Sequence, residues 1–213
     1  MFQRDYILCM IEMMGNLARK VAQLMEELEY LHQLDDASRL HCGMPLRALG
    51  TLSVDSLCQI LDEQPRWIAS ELLYLRALER HVQWEARDEM LLKSLRLLAS
   101  VRRESVLCEL RAPRLAELKQ RCLSLMNPDD LFNCALFFSE AERYDEMEDA
   151  LFQALEAMPA DQRRTERVDE GCRMLRQAAC ANESALAYCR MTADELNASA
   201  EELERLLISS IEE

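Results

Sequence analysis

Glycine is almost missing from this chain, with four in 213 residues. Phosphate-binding loops need glycines close together, so that backbone N–H groups can approach the anion. The four here are dispersed, and no such loop is expected. Proline is nearly as rare, at five, and β-branched residues are few, so no segment reads as a strand. No run of about 18 uncharged apolar residues occurs, which removes the pattern of a membrane-spanning helix. Bases are short too, with 25 Lys and Arg against 39 Asp and Glu and a net charge of −14. They are scattered apart from pairs such as Arg102–Arg103 and Arg163–Arg164. Binding to nucleic acid or to an anionic membrane needs them clustered, so neither is an expected partner. The apolar start is broken by Arg4, Asp5 and Glu12, and no small-residue cleavage site follows it, unlike a signal peptide. Nine cysteines without an export signal imply reduced thiols and a cytoplasmic location.

What remains is rich in Leu, Ala, Glu, Arg and Met, all good helix formers. The expected fold class is all-α, in one domain over 1–213. Its candidate subdivision is a helical bundle over 1–126 and a hairpin plus C-terminal helices over 127–213. The most informative stretch runs from Pro128 to Pro159. Asp129 or Asp130 is the candidate cap, with Pro128 just outside the helix. Leu131, Cys134, Ala135 and Phe138 form one apolar stripe, and Met147, Leu151, Ala154, Leu155 and Met158 form a second. Pro159 terminates the pair. Two such helices joined by a short connector pack antiparallel, with Ala135 and Ala154 small at the crossing.

This hairpin resembles the tetratricopeptide repeat of about 34 residues. Ala135 and Phe138 match its small and aromatic positions. Tyr144, Asp145 and Glu146 match its corner, and Leu151, Ala154, Leu155 and Pro159 match its second helix and terminator. Met147 and Glu142 depart from its usual alanine and corner glycine. A fainter echo runs from Ile68 to Ala99. The resemblance implies a right-handed array of antiparallel helix pairs. It also implies a surface for holding another protein, with Phe132, Leu136 and Ser139 on the inner face of the first helix. Those side chains suit an amphipathic helical partner better than a terminal carboxylate.

A long N-terminal helix is expected from near Asp5. Ile7, Met10, Met14, Leu17, Val21, Leu24, Leu28 and Leu31 alternate steps of three and four, a heptad seam that could pair two subunits. Ile11, Ala18 and Met25 broaden it, which favours docking into the chain's own core. Residues 35–51 are the least periodic and read as a loop or broken helix. Ser53 caps a short helix, Pro65 opens one reaching Val82, and another runs from Glu85 to Val101. A helix from Glu104 kinks or restarts at Pro113. One more spans Gln162 to Ala181, and Thr192 with Glu195 forms a capping box for the last. Trp67 and Trp84 are expected as core anchors.

Chemistry is harder to find. There is no Cys-x-x-Cys, and Cys172, Cys180 and Cys189 are too widely spaced for a familiar zinc site. Glu29 and His32 share a helical face, but no second Glu-x-x-His completes a di-iron set. No Gly-x-Ser-x-Gly occurs among the serines, and three histidines, His81 included, define no triad. No catalytic residue, metal ligand or cofactor is assigned. Over most of its length the chain also resembles a family of uncharacterised bacterial all-helical proteins. The shared segments are Asp5-Tyr6-Ile7-Leu8, Leu52-Ser53-Val54-Asp55-Ser56-Leu57, the Leu91–Leu98 region, Tyr144 with Glu148-Asp149-Ala150-Leu151-Phe152, and Thr192–Leu196. That resemblance implies a repeat-related helical fold and no activity. The leading functional expectation is a non-catalytic interaction or scaffold protein. The alternatives are a structural homo-oligomer built on the N-terminal seam, and a thiol-based sensor or enzyme.

Overall fold

The computed structural model describes residue 20 and residues 25–79, 82–102, 105–159, 162–181 and 183–209. Among the described residues there are eleven α-helices, one short 3-10 turn and no strand. Helix α1 is described over 25–42. It is followed by α2 (Leu46–Thr51), α3 (Val54–Ile60), α4 (Glu63–Ala77), α5 (Trp84–Ala99) and α6 (Ser105–Cys122). Then come α7 (Pro128–Glu140), α8 (Tyr144–Glu156), α9 (Gln162–Ala179), α10 (Glu183–Tyr188) and α11 (Ala193–Ser209). Ile7, Met10, Met14, Leu17, Val21, Leu24 and His81 lie outside the described residues.

From α4 to α9 each helix packs on the next in sequence, α5 also reaches α7, and α11 lies along α9. One apolar cluster runs through these elements from Tyr74 to Leu203, without a break at 126–129. A second cluster joins Leu34, Leu46, Leu49 and Leu57 to Leu72, Leu73 and Leu97. The α4–α5 hairpin therefore feeds both clusters. Its helices meet through Ser70 and Ser94, both wholly buried. Each hydroxyl donates to the other residue's carbonyl, at 2.8 and 2.9 Å. Small side chains let the axes close in, and the reciprocal bonds remove the penalty of burying two hydroxyls.

Charged side chains fasten other joints. Arg66 donates to the carbonyls of Cys58 and Leu61 at the end of α3 and to that of Ser100 after α5, answering open carbonyls at two helix C-termini. On the α4–α6 face, Arg111 stacks on Trp67 and Arg114 on Tyr74, at 4.2 and 3.8 Å from the ring centres. The Tyr74 hydroxyl donates to Glu117 at 2.6 Å. That bond holds the Glu117 carboxyl below its ordinary range, while burial raises the Tyr74 phenol. Lys119 crosses from α6 to Glu146 of α8 at 3.0 Å.

Several expectations are corrected. Of the loop or broken helix expected over 35–51 the structure has the broken helix, with α1 continuing to 42 and α2 starting at Leu46. Leu34, Ser38 and Cys42 recur every four residues on the buried face, and Asp35 serves both Arg39 and the N–H of Leu46. Asn127 caps α7, so Pro128 lies inside the helix at its first position. There its missing N–H costs nothing. Asp130 returns the favour by accepting from the Asn127 N–H at 3.1 Å. Helix α4 begins before Pro65 and ends at Ala77, short of Val82. Helix α6 passes through Pro113 without restarting. Trp84 is 69% exposed and is no core anchor, because it opens α5 on the outer side; Trp67 is half-buried. The caps at Ser53 and at Thr192 with Glu195 match the sequence reading. Helix α10 has no counterpart in it.

Candidate functional site

The sequence placed a binding face on α7, and the structure puts that helix in the centre of the core. Phe132 is 0% exposed, and the Arg167 guanidinium covers its ring at 4.2 Å. It cannot be offered to a partner. Leu136 is half-buried and packs against the main cluster, and Ser139 is half-buried beside it. The three residues therefore form no open surface. The signal was present in the chain: Leu131, Phe132, Cys134, Ala135, Phe137 and Phe138 make the apolar face of α7 wider than one stripe, and all six are buried.

An open apolar feature lies elsewhere, at the turn between α4 and α5. Helix α4 stops at Ala77, and Leu78 takes the C-terminal cap. The chain re-enters α5 at Trp84, with Gln83 as a cap that makes no side-chain bond. The described start of α1 runs past this turn. A groove of about 780 Å³ results, with Tyr30 and Leu31 on one wall and Leu78, Val82, Ala86 and Met90 on the others. Leu28, 65% exposed, and Trp84 are apolar side chains beside it in the sequence. Leu28 and Leu31 are the only seam residues within the described region, and the structure leaves the first uncovered.

The groove's charged rim is mostly acidic. Glu26, Glu27 and Glu79 line it, with Arg76 as its one described base. Arg76 is already paired with Glu79 through one carboxylate oxygen. The other oxygen, Oε1, is buried and accepts no hydrogen bond. A buried acceptor of this kind costs about 1–3 kcal/mol until a donor reaches it. The arrangement suits a ligand that buries apolar side chains and brings an N–H or a cation to the edge.

Reactive groups are not assembled around it. Among the described residues no three of His, Cys, Asp and Glu converge as a metal site would need. His32 lies 3.5 Å from Asp36 on the surface. Of the described cysteines Cys180 alone is exposed and Cys58 is half-exposed. Burial raises the thiols of Cys42, Cys134 and Cys172, and it pushes Cys122 up to about 11. No described helix is long and apolar enough to cross a membrane. Comparisons with protein-family models, curated proteins and solved structures find no match.

Proposed function

We propose that this chain is a non-catalytic interaction protein that receives an amphipathic helix in the groove between α1, α4 and α5. The observation that carries the reading is the apolar groove with its unsatisfied Glu79 oxygen at an acidic rim. An amphipathic helix brings apolar anchors three and four residues apart to such grooves. Charge complementarity calls for Lys or Arg on its flank. On the same reading the α7–α8 hairpin is tetratricopeptide-like. Its helices have 13 residues each, they join through a tight corner, and they bury Ala135, Phe138, Tyr144 and Ala154. The hairpin then serves as scaffold, while the docking face is the opening beside α4 and α5.

The exposed Leu28 favours a second reading, a homo-oligomer joined along the seam that includes Leu28 and Leu31. One experiment separates the two. A photo-crosslinking amino acid is placed at Leu78 and, as a control, at Tyr188, and the captured peptides are sequenced. The expected product, from Leu78 alone, is a partner segment with helically spaced apolar residues and basic neighbours. A second copy of this chain captured at Leu78 transfers the reading to the homo-oligomer. Equal capture at both positions, or a partner segment without that spacing, overturns the docking groove.

A further inference from the structure

A second cleft, of about 760 Å³, lies between α3, α5 and the start of α7. Three cations line it. Arg96 is committed, since its guanidinium meets both oxygens of Asp130 at 2.7 and 2.9 Å. Lys93 and Arg102 have no carboxylate within ion-pair reach among the described residues. Lys93 donates to the carbonyl of Gly50 and Arg102 to the side-chain oxygen of Asn133. Arg102 Nε is buried with no hydrogen-bond partner at all.

This is an unusual use of charge. The chain carries 39 acids against 25 bases, so counter-ions were plentiful. Yet among the described residues neither half-buried cation has a direct ion pair. Burial lowers the pKa of both, outweighing Glu89 on Lys93 and Glu170, Glu140 and Glu63 on Arg102, which act only from farther off. The acids of the cleft do not fill the gap. Asp130 is taken by Arg96, and Asp129 is held by Arg163 at 2.6 Å. Asp55 and Glu89 stand exposed at the rim, where water screens them. An oxyanion inside the cleft would meet the cations in the drier region and the acids across solvent. The volume falls in the range of small-molecule sites. A polyanion would have to pass the rim acids with every charge, which disfavours nucleic acid.

We infer that this cleft binds a small molecule bearing a carboxylate or phosphate group, gripped by Lys93 and Arg102. The full chain with ¹⁵N-labelled arginine is titrated with inorganic phosphate and, separately, with citrate at constant ionic strength. The probe is the Arg102 Nε–H resonance, assigned as the signal absent from Arg102→Lys. A saturable shift is expected with at least one anion, and the stronger arm identifies the preferred oxyanion. Arg102→Gln and Lys93→Gln should each weaken binding about tenfold, read from the thermal midpoint against ligand concentration. No saturable shift with either anion overturns the inference, and so does unchanged affinity in both variants. Should a variant fail to fold, the titration of the native chain decides alone.

Discussion

Cys134 is fully enclosed in α7, and Cys122, which closes α6, is 1% exposed. Burial is the largest cause raising both thiols, ahead of nearby Asp88 and Asp130 for Cys122 and despite Lys119 for Cys134. This has a stability consequence with a definite sign. The unfolded Cys122 thiol ionises near 9 and the folded one at about 11. Between those values the unfolded chain has released a proton that the native chain retains. Stability is therefore intact below pH 9 and falls as pH rises towards 11, by up to about 3 kcal/mol from this residue. Urea midpoints at the two ends of the window, compared between the native chain and Cys122→Ala, check it; the variant should lose less. Labelling is a second test at this scale. Among the described cysteines, a water-soluble thiol reagent should label native protein at Cys180 first and Cys58 next, with Cys122 and Cys134 protected until unfolding. Rapid native labelling of Cys134 would contradict its enclosure. At the α4–α5 crossing, Ser70→Ala and Ser94→Ala should each cost about 1 kcal/mol. The double variant should cost less than the sum, because the two hydroxyls serve each other.

At the scale of elements, the start of α7 shows how local sequence sets position. Asn127 caps the helix, Asp130 completes the box, and the same Asp130 receives Arg96 from α5. Losing the cap alone removes one local bond. Losing Asp130 also strands a guanidinium that is only about a third exposed, 36% at its side chain. Asn127→Ala should cost about 1 kcal/mol and Asp130→Ala about 2–3 kcal/mol, measured by chemical denaturation. Equal losses would show that the inter-helix pair contributes nothing. The end of α7 offers a gain. Glu142 sits in the left-handed region at φ 52°, with the N–H of Arg143 returning to Phe138 and that of Glu142 to Ser139. This is the Schellman geometry that glycine fills without strain. Glu142→Gly should stabilise by about 0.5–1 kcal/mol. Arg190, at φ 56°, closes α10 the same way, and the Cys189 thiol donates to Glu142 O at 3.2 Å, tying the two corners together.

The same elements show what was legible in the chain. Caps and stripes could be read wherever the signal is a few residues long, as at Ser53, at Thr192 with Glu195, and along Leu131, Cys134, Ala135 and Phe138. The reading of 35–51 stayed open between loop and broken helix because Ser38 and Cys42, the inward residues of α1 there, do not look apolar or large. The burial of Phe132 was missed because a narrow stripe was sought where the apolar face also takes in Phe132 and Phe137. The groove was beyond reach for a different reason. It is made by where α4 stops and how α1 passes, and no local pattern encodes that meeting. The cleft at Lys93 and Arg102 likewise joins α3, α5, the segment after α5 and the start of α7, whose spacing in sequence carries no motif.

At the scale of the whole molecule, two apolar clusters share one hairpin, and their sizes differ. The larger encloses Phe137, Phe138, Leu151 and Leu175 among helices α4 to α11. The smaller rests Leu34, Leu46, Leu49 and Leu57 on one flank of α4 and α5. Local opening costs what the opened contacts are worth. Detaching α2 and α3 exposes only the smaller cluster, and α4 and α5 can stay folded on the larger one. Detaching α7 dismantles the larger cluster and frees α5, α6 and α8 with it. Native-state hydrogen exchange should therefore show amides of 46–60 opening at lower free energy than those of α7 and α8, with α4 and α5 among the slow set. Leu49→Ala should widen that gap. It should speed exchange in α2 and α3 while leaving α7 and α8 near their original rates, because Leu49 belongs to the smaller cluster alone. If exchange in α7 accelerates equally, the clusters open as one unit and the shared hairpin transmits every loss to both sides.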